Sequence, residues 1–311
     1  MKSPILIIVG PTASGKTGLS VELAKQRNGE IVSADSMQIY RHMDIGTAKP
    51  SMEERQGIVH HLMDVVEPWE SFTVAQYRRL AVEAIDDIAS RGKLPIVVGG
   101  TGLYVNSLIR GWSFSNTPPS ETVRKEIQTF YEEKGRDRLY EELSKVDPES
   151  AEKIHPNNIK RVIRALEVFL ETGKKKSLSD AQSTDLPIPF DHTLVGLTMG
   201  RDRLYRRIEE RIDIMIQQGL LQEVRQLVEM GADRNWQSMQ GLGYKEILAY
   251  LDGESTWDEA LYLLKRDTRR YAKRQWTWFR RLEEIHWIDM DALVDPEEAM
   301  VQIVEYMNKK D

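Results

Sequence analysis

Ile5-Leu6-Ile7-Ile8-Val9-Gly10-Pro11-Thr12-Ala13-Ser14-Gly15-Lys16-Thr17 is the stretch whose reading decides the architecture. Five consecutive apolar residues, most of them β-branched, read as a strand covered on both faces, the habit of a parallel sheet flanked by helices. Gly-x-x-x-x-Gly-Lys-Thr follows directly, and Leu19, Leu23 and Ala24 then recur on one side of a helix. A glycine loop between a buried strand and a helix is the setting in which this spacing grips phosphate. The glycines let the backbone curl so that successive N–H groups point inward, and the helix N-terminus adds partial positive charge. Lys16 supplies a full charge, and the Thr17 hydroxyl is placed to ligate Mg²⁺. Gly10, Thr12, Ala13, Ser14, Gly15, Lys16 and Thr17 are therefore the candidate phosphate-binding residues.

Outward from this loop the first third of the chain alternates strand and helix. Glu30 to Asp35 reads as a second strand, Val74 to Arg91 as a periodic helix ended by Gly92, and Ile96-Val97-Val98 as a further buried strand closed by Gly99-Gly100. Such repetition implies an α/β fold, a P-loop NTPase-like parallel sheet with helices on both faces. Near Gly111 the pattern breaks. Residues 113–120 read as a linker whose Ser120 caps a helix, and the chain to about Lys176 is helical with interruptions at Asp147-Pro148 and His155-Pro156. Residues 177–189 read as a second linker, and Thr193 to Leu197 returns to strand character. The expected organisation is a core of residues 1–111 and 191–311 around an all-helical insertion, 112–190. Long helices are expected at about 201–230 and 256–284, then a short strand at Ile285 to Ile288 and a terminal helix.

Composition narrows the class. With 311 residues, 41% hydrophobic and 30% charged, the chain has ample material for a buried core. No apolar run approaches the ~18 residues of a membrane span, and the N-terminus lacks the features of a signal peptide. Zero cysteines exclude disulfides, thiolate metal sites and cysteine nucleophiles, and point to a reducing cytoplasm. The net charge of −6 is unevenly spread: Lys265 to Arg281 carries eight basic residues against one acid, Asp267. A local basic face matters more to a polyanion than the total does.

A phosphate loop alone does not name a reaction. In ATP and GTP chemistry an aspartate ending a later buried strand helps hold Mg²⁺, yet Ile96-Val97-Val98 ends in Gly99-Gly100-Thr101. The nearest acid at a strand end is Asp35. Two roles fit it: a carboxylate facing the crevice beyond the strand ends, where open α/β sheets bind ligands, or a turn cap.

Taken together, the motifs resemble the tRNA dimethylallyltransferases (isopentenyl-tRNA transferases). The blocks that carry the resemblance are Gly10 to Thr17, Ser33-Ala34-Asp35-Ser36-Met37-Gln38-Ile39-Tyr40, Met43-Asp44-Ile45-Gly46-Thr47-Ala48-Lys49-Pro50 and Gly99-Gly100-Thr101-Gly102-Leu103-Tyr104. Arg161 to Glu167, Gly243-Tyr244-Lys245-Glu246 and Lys273-Arg274-Gln275-x-Thr277-Trp278 follow in the family's order. The chain resembles the bacterial form, without the zinc finger of eukaryotic relatives.

The resemblance implies transfer of a dimethylallyl group from dimethylallyl pyrophosphate to N6 of adenosine 37, beside the anticodon of tRNA. Exocyclic N6 is a weak nucleophile, so Asp35 is the candidate general base. The P-loop with Mg²⁺ on Thr17 would stabilise the leaving pyrophosphate. Thr101 resembles the family's threonine near the reaction centre, and Arg211 with Arg207 one turn earlier its pyrophosphate-gripping arginines. Candidate tRNA contacts are Asp35, Ser36, Met37, Gln38, Thr101, Lys160, Arg161, Arg164, Gly243, Tyr244, Lys245, Arg274 and Gln275. Phosphate contacts would position the anticodon stem-loop, and the target adenine would leave its stack to enter the crevice. The implied partners are tRNA and the prenyl donor, with no membrane, no obligate protein partner and a monomer by default. A P-loop kinase or NTPase, an adenylate prenyltransferase and an RNA-binding module are the competing readings.

Overall fold

In the computed structural model, residues 3–110, 120–176, 188 and 190–309 are described. The hydrophobic run at the N-terminus is β1 (Ser3–Val9), and Leu6, Ile7, Ile8 and Val9 are fully buried. It lies inside a six-stranded, wholly parallel sheet. Its companions are β2 (Gly29–Ser33), β3 (His60–His61), β4 (Leu94–Gly99), β5 (Phe190–Thr198) and β6 (His286–Asp289), in the order β3-β2-β4-β1-β5-β6. Side chains alternate across the pleat. Ile5, Ile7 and Val9 enter one core with Val32, Val97 and Leu194, whereas Leu6 and Ile8 enter the other with Ile31, Ile96, Val195 and Leu197.

Each core is closed by helices. On the smaller side lie α1 (Lys16–Gln26), with Leu19 and Leu23, and a C-terminal helix over residues 296–308. The short α2 (Met52–Arg55) and α3 (Val74–Ser90) follow in the chain, the latter presenting Tyr77, Ala81, Ile85 and Ile88 at helical spacing to the larger core. Thr73 and Gln76 form a capping box at its start. The chain then enters α4 (Gly102–Ile109).

Residues Arg110–Ile188 form one compact unit, and Met1–Ile109 with Pro189–Asp311 the other. The first unit contains α5 (Glu121–Val146), α6 (Pro148–Lys153) and α7 (Ile159–Thr172). Ser120 accepts a hydrogen bond from the Val123 N–H at the start of α5, and Asp147 caps α6 with Pro148 in its first turn. Gly135 takes φ 79° inside α5 and bends it. The unit has its own core, with Ile127, Leu139, Leu143, Val162 and Leu166 packed together. Of the linkers expected at 113–120 and 177–189, residues 113–119, 177–187 and 189 lie outside the described residues.

The larger unit is completed by α8 (Arg201–Gln217), α9 (Leu220–Glu229), α10 (Tyr244–Leu251), α11 (Trp257–Phe279) and α12 (Pro296–Asn308). The single helix expected over 201–230 is two helices, because Gly219 takes φ 102° and interrupts the turn. The helix expected over 256–284 ends at Phe279.

At the sheet's N-terminal edge, the 2% exposed Glu30 accepts from Arg91 Nη2 at 2.7 Å, Lys93 Nζ at 2.7 Å and pairs with His61 Nε2 at 2.8 Å. Arg91 foremost, then Lys93 and His61, hold its carboxyl far below the ordinary value of 4.5 despite burial. Glu30→Ala would leave Arg91 and Lys93 without their shared carboxylate and His61 Nε2 without its partner. Because Arg91 and Lys93 are half-exposed and screened, the loss at pH 7 should be about 2 kcal/mol, less than for a fully buried pair. A carboxyl depressed in the folded state stabilises above its unfolded value and loses that contribution as pH falls through the folded one. Urea midpoints of variant and parent should therefore converge as pH drops below 4.5.

Candidate active site

β1, β2 and β4 are neighbours and end at the same edge, so the loops after them meet there. The loop after β1 curls into α1 through Gly15 at φ 95°, with Ala13 also left-handed at φ 64°. A non-glycine residue in that region marks a backbone held in place by its surroundings. Here the holders are visible. Arg207 Nε of α8 donates to the Ala13 carbonyl at 2.8 Å, and Arg211 Nη1 donates to Thr12 Oγ1 at 3.2 Å. The Thr12 N–H donates to Gln275 Oε1 at 2.8 Å, and Gln275 Nε2 donates to the Gly100 carbonyl at 2.9 Å. One buried amide from α11 thus ties the phosphate loop to the end of β4.

Lys16 Nζ donates to the Gly10 and Pro11 carbonyls at 3.0 and 2.7 Å. Burial, and then the Arg211 guanidinium, push its pKa down to about 7, with Asp35 pulling the other way. Burial likewise lowers Arg211, which Asp35 partly offsets. Ser14 Oγ is buried without a hydrogen-bond partner. Three cationic side chains and an unmatched hydroxyl around the curled backbone make a cradle suited to an anion. Thr17 lines the same cavity. Among the described residues no group of three or more His, Asp or Glu side chains could hold a metal. The donor set fits a Mg²⁺ ion held by one hydroxyl, substrate phosphate oxygens and water.

Asp35 stands two residues beyond the end of β2. Its Oδ1 accepts the Met37 N–H at 2.9 Å, so it caps its own turn and also faces the cleft. Thr101 lies opposite: its Oγ1 accepts the Ser36 N–H at 3.0 Å and donates to Ser36 Oγ at 3.2 Å. A Cβ at Gly99 would run into the Ala34 carbonyl, so glycine there lets the β2 and β4 loops touch. Tyr271 of α11 faces Asp35, and burial together with that carboxylate raises its hydroxyl pKa.

Two cavities meet at this point. One of about 900 Å³ contains the phosphate loop, Arg207 and the segment 44–55; the other, about 320 Å³, is walled by Met37, residues 240–245 and Leu264. Asp35, Thr12, Arg211, Met215 and Tyr271 line both.

Several residues expected to touch a nucleic-acid substrate also make hydrogen bonds inside the protein. Gln275 is the amide bridge just described. Gln38 Oε1 accepts from Ser33 Oγ at 3.0 Å, and its Nε2 donates to the Ala48 carbonyl at 3.2 Å. Tyr244 is fully buried with its hydroxyl on Glu223 at 2.6 Å, and the Gly243 N–H donates to Glu246 Oε2 at 2.8 Å. Arg164 Nη1 pairs with the buried Glu167 at 3.2 Å. Ser36, Met37, Gly243, Tyr244, Lys245 and Arg274 line the second cavity, and Gln38 and Gln275 line the first. Lys160 and Arg161 are exposed on α7, in the other unit. The basic segment is less free than its composition implies. Lys265 pairs with Asp213, Arg269 with Glu209 and Arg266 with Asp267, while Arg280 stacks on Trp276. Tyr271, an aromatic of the basic segment, lines both cavities; Glu223, which nothing in the surrounding pattern marked, holds the backbone of residues 44–46 beside them.

The IPP transferase family matches residues 38–282. This chain belongs to that family. A tRNA dimethylallyltransferase of Acetivibrio thermocellus is 54% identical over 302 residues, covering 97% of this chain and 96% of the relative. The full-length tRNA isopentenylpyrophosphate transferase of Bacillus halodurans has a similar structure, with TM-score 0.74 and 46% identity over 100% of this chain and 97% of that one. A eukaryotic dimethylallyltransferase, captured acting on tRNA, has TM-score 0.76 and 33% identity over 92% of this chain and 74% of that one.

The Lys16 environment has a measurable consequence. A bound anion favours the charged ammonium, so above pH 7 the free protein must take up a proton to bind it. Pyrophosphate affinity should therefore fall by up to about tenfold per pH unit above that point. Titration calorimetry in buffers of different ionisation enthalpy should show proton uptake in the parent and its loss in Lys16→Met.

Proposed function

We propose that this protein transfers a dimethylallyl group from dimethylallyl pyrophosphate to N6 of adenosine 37 in tRNA. The observation that carries the reading is the shared boundary of the two cavities. A phosphate cradle lies on one side, a pocket with room for a base on the other, and the Asp35 carboxylate between them. The end of β4 offers glycines and Thr101 where an NTPase would place a metal-binding acid.

In the reaction, the N6 lone pair forms the bond to the first allylic carbon as the carbon–oxygen bond to pyrophosphate breaks. Asp35 accepts the N6 proton, so the amine does not retain positive charge. Pyrophosphate leaves with growing negative charge. Lys16, Arg211, Arg207 and the loop N–H groups stabilise it more in the transition state than in the donor. Mg²⁺ held at Thr17 would add Lewis-acid neutralisation of the same oxygens. Thr101 holds the Ser36 backbone and so the turn that presents Asp35. Ser36, Met37, Lys245 and Arg274 are the residues available to the flipped adenine and its neighbours. The helical unit, with Lys160, Arg161 and the partly exposed Arg164, would take the anticodon stem through phosphate contacts. A cytoplasmic setting suits this substrate, and among the described residues no helix is long and apolar enough to cross a membrane.

Incubation with radiolabelled donor and an anticodon stem-loop carrying three consecutive adenines should label the RNA. ATP turnover without label transfer would sink the proposal in favour of an NTPase. Label on free AMP but not RNA would move it to the adenylate prenyltransferases.

Asp35→Ala should lower kcat by about 10²–10⁴ with tRNA affinity unchanged; near-normal turnover would refute the base assignment. Arg211→Ala should mainly raise KM for the prenyl donor, read from donor titrations at saturating RNA.

A further inference from the structure

The buried carboxylates of the described residues are satisfied in different ways. Glu30 and Glu167 face cations, and Asp147 and Glu246 cap helix starts. Glu223 of α9, 8% exposed, does neither. Its Oε2 accepts the Asp44 and Ile45 N–H groups at 2.8 and 2.7 Å, and its Oε1 accepts the Gly46 N–H at 3.0 Å and the Tyr244 hydroxyl at 2.6 Å. Three successive backbone N–H groups curled around one anion form a nest, here closed on a side chain of the protein itself. Gly46 is required for the fit, since a Cβ there would lie 2.6 Å from the Tyr244 ring.

The anchored segment leads directly into the site. Thr47, the next residue, lines both cavities and donates from Oγ1 to the Met43 carbonyl at 2.6 Å. The Thr47 and Ala48 carbonyls accept from Gln38 Nε2 at 3.4 and 3.2 Å, and Gln38 lies three residues beyond Asp35. The phosphate loop is held separately, by Gln275, Arg207 and Arg211.

We propose that Glu223 is a positioning residue for the transfer reaction. It fixes Asp44–Gly46 so that Thr47 and the Gln38 amide hold the wall beside Asp35, while the phosphate loop keeps its own anchors in Gln275, Arg207 and Arg211. The effect on turnover rests on the function proposed above; the anchoring does not. Glutamine in its place cannot reproduce the arrangement. Each carboxylate oxygen accepts at least one backbone N–H, so the amide NH₂ must face a donor whichever way it turns.

The test combines two measurements on the full chain. Hydrogen exchange over residues 43–50 should be faster in Glu223→Gln than in the parent, and nearly unchanged in Tyr244→Phe, which removes one donor and leaves every N–H matched. Glu223→Gln should lower kcat about tenfold or more while the dissociation constant of pyrophosphate stays within about twofold. Combined with Gln38→Ala, the two losses should be less than multiplicative, because both variants release the same wall. Parent-like exchange, kcat within about twofold of the parent, or fully multiplicative losses would overturn the assignment. If Glu223→Gln does not fold, Gly46→Ala pushes the same segment off the carboxylate and carries the same readouts. A parent protein that transfers no label would end the functional reading alone, and exchange would still decide the anchoring.

Discussion

β2, β4 and β1 lie side by side in register, Ser33 beside Val98 and Val9 beside Gly99, and everything at the site depends on that pairing. Parallel strands all finish at one edge, so three segments far apart in the chain begin their loops within reach of one another. The phosphate loop leaves β1, the Asp35 turn leaves β2 and Thr101 leaves β4. Burial of β1 on both faces makes the pairing costly to shift, since a slip by one residue would exchange the side chains of the two cores.

Strand ends deliver the loops but do not shape them. Loop backbone has no ladder to satisfy its N–H and carbonyl groups, so side chains from distant helices do this. Gln275 joins the Thr12 N–H to the Gly100 carbonyl across the gap between two loops. Arg207 holds the Ala13 carbonyl, Gln38 the carbonyls of Thr47 and Ala48, and Glu223 three N–H groups in a row. These polar residues form a second framework, as specific as the hydrophobic one, and Gln275, Gln38 and Arg207 line the larger cavity as well. Lys16, Arg211 and Asp35 share that lining; burial foremost lowers Lys16 and Arg211, and the Asp35 carboxylate partly offsets it.

Much of this was legible from residue order. The run Ile5 to Val9, its alternation with helices and the glycine-lysine-threonine spacing established a parallel α/β sheet with a phosphate loop. Asp35 and Thr101 stood out as the polar residues at strand ends; Asp35 lines both cavities, and Thr101 is bonded to Ser36 beside it. The break at Gly219 was legible only in retrospect, because a lone glycine in a helical pattern is also tolerated within one helix. Gln275, Gln38 and Tyr244 were assigned to the substrate because polar and aromatic residues within motifs invite that reading. They line the cavities and also bond to backbone groups, Ser33 and Glu223, partners that sequence spacing cannot reveal.

By itself, then, the sequence determined the sheet, the glycine-lysine-threonine loop after its first strand and the acid just beyond the second, since each is a local pattern of hydrophobicity, glycine and charge. Only the tertiary structure decided which polar side chains face a ligand and which hold the loops. A buried polar group must find a partner, and for Thr12 the partner is 263 residues away. The opening motif thus acquires its context. Its backbone is held by α8 and α11, and its cavity shares the Asp35 lining with a second cavity.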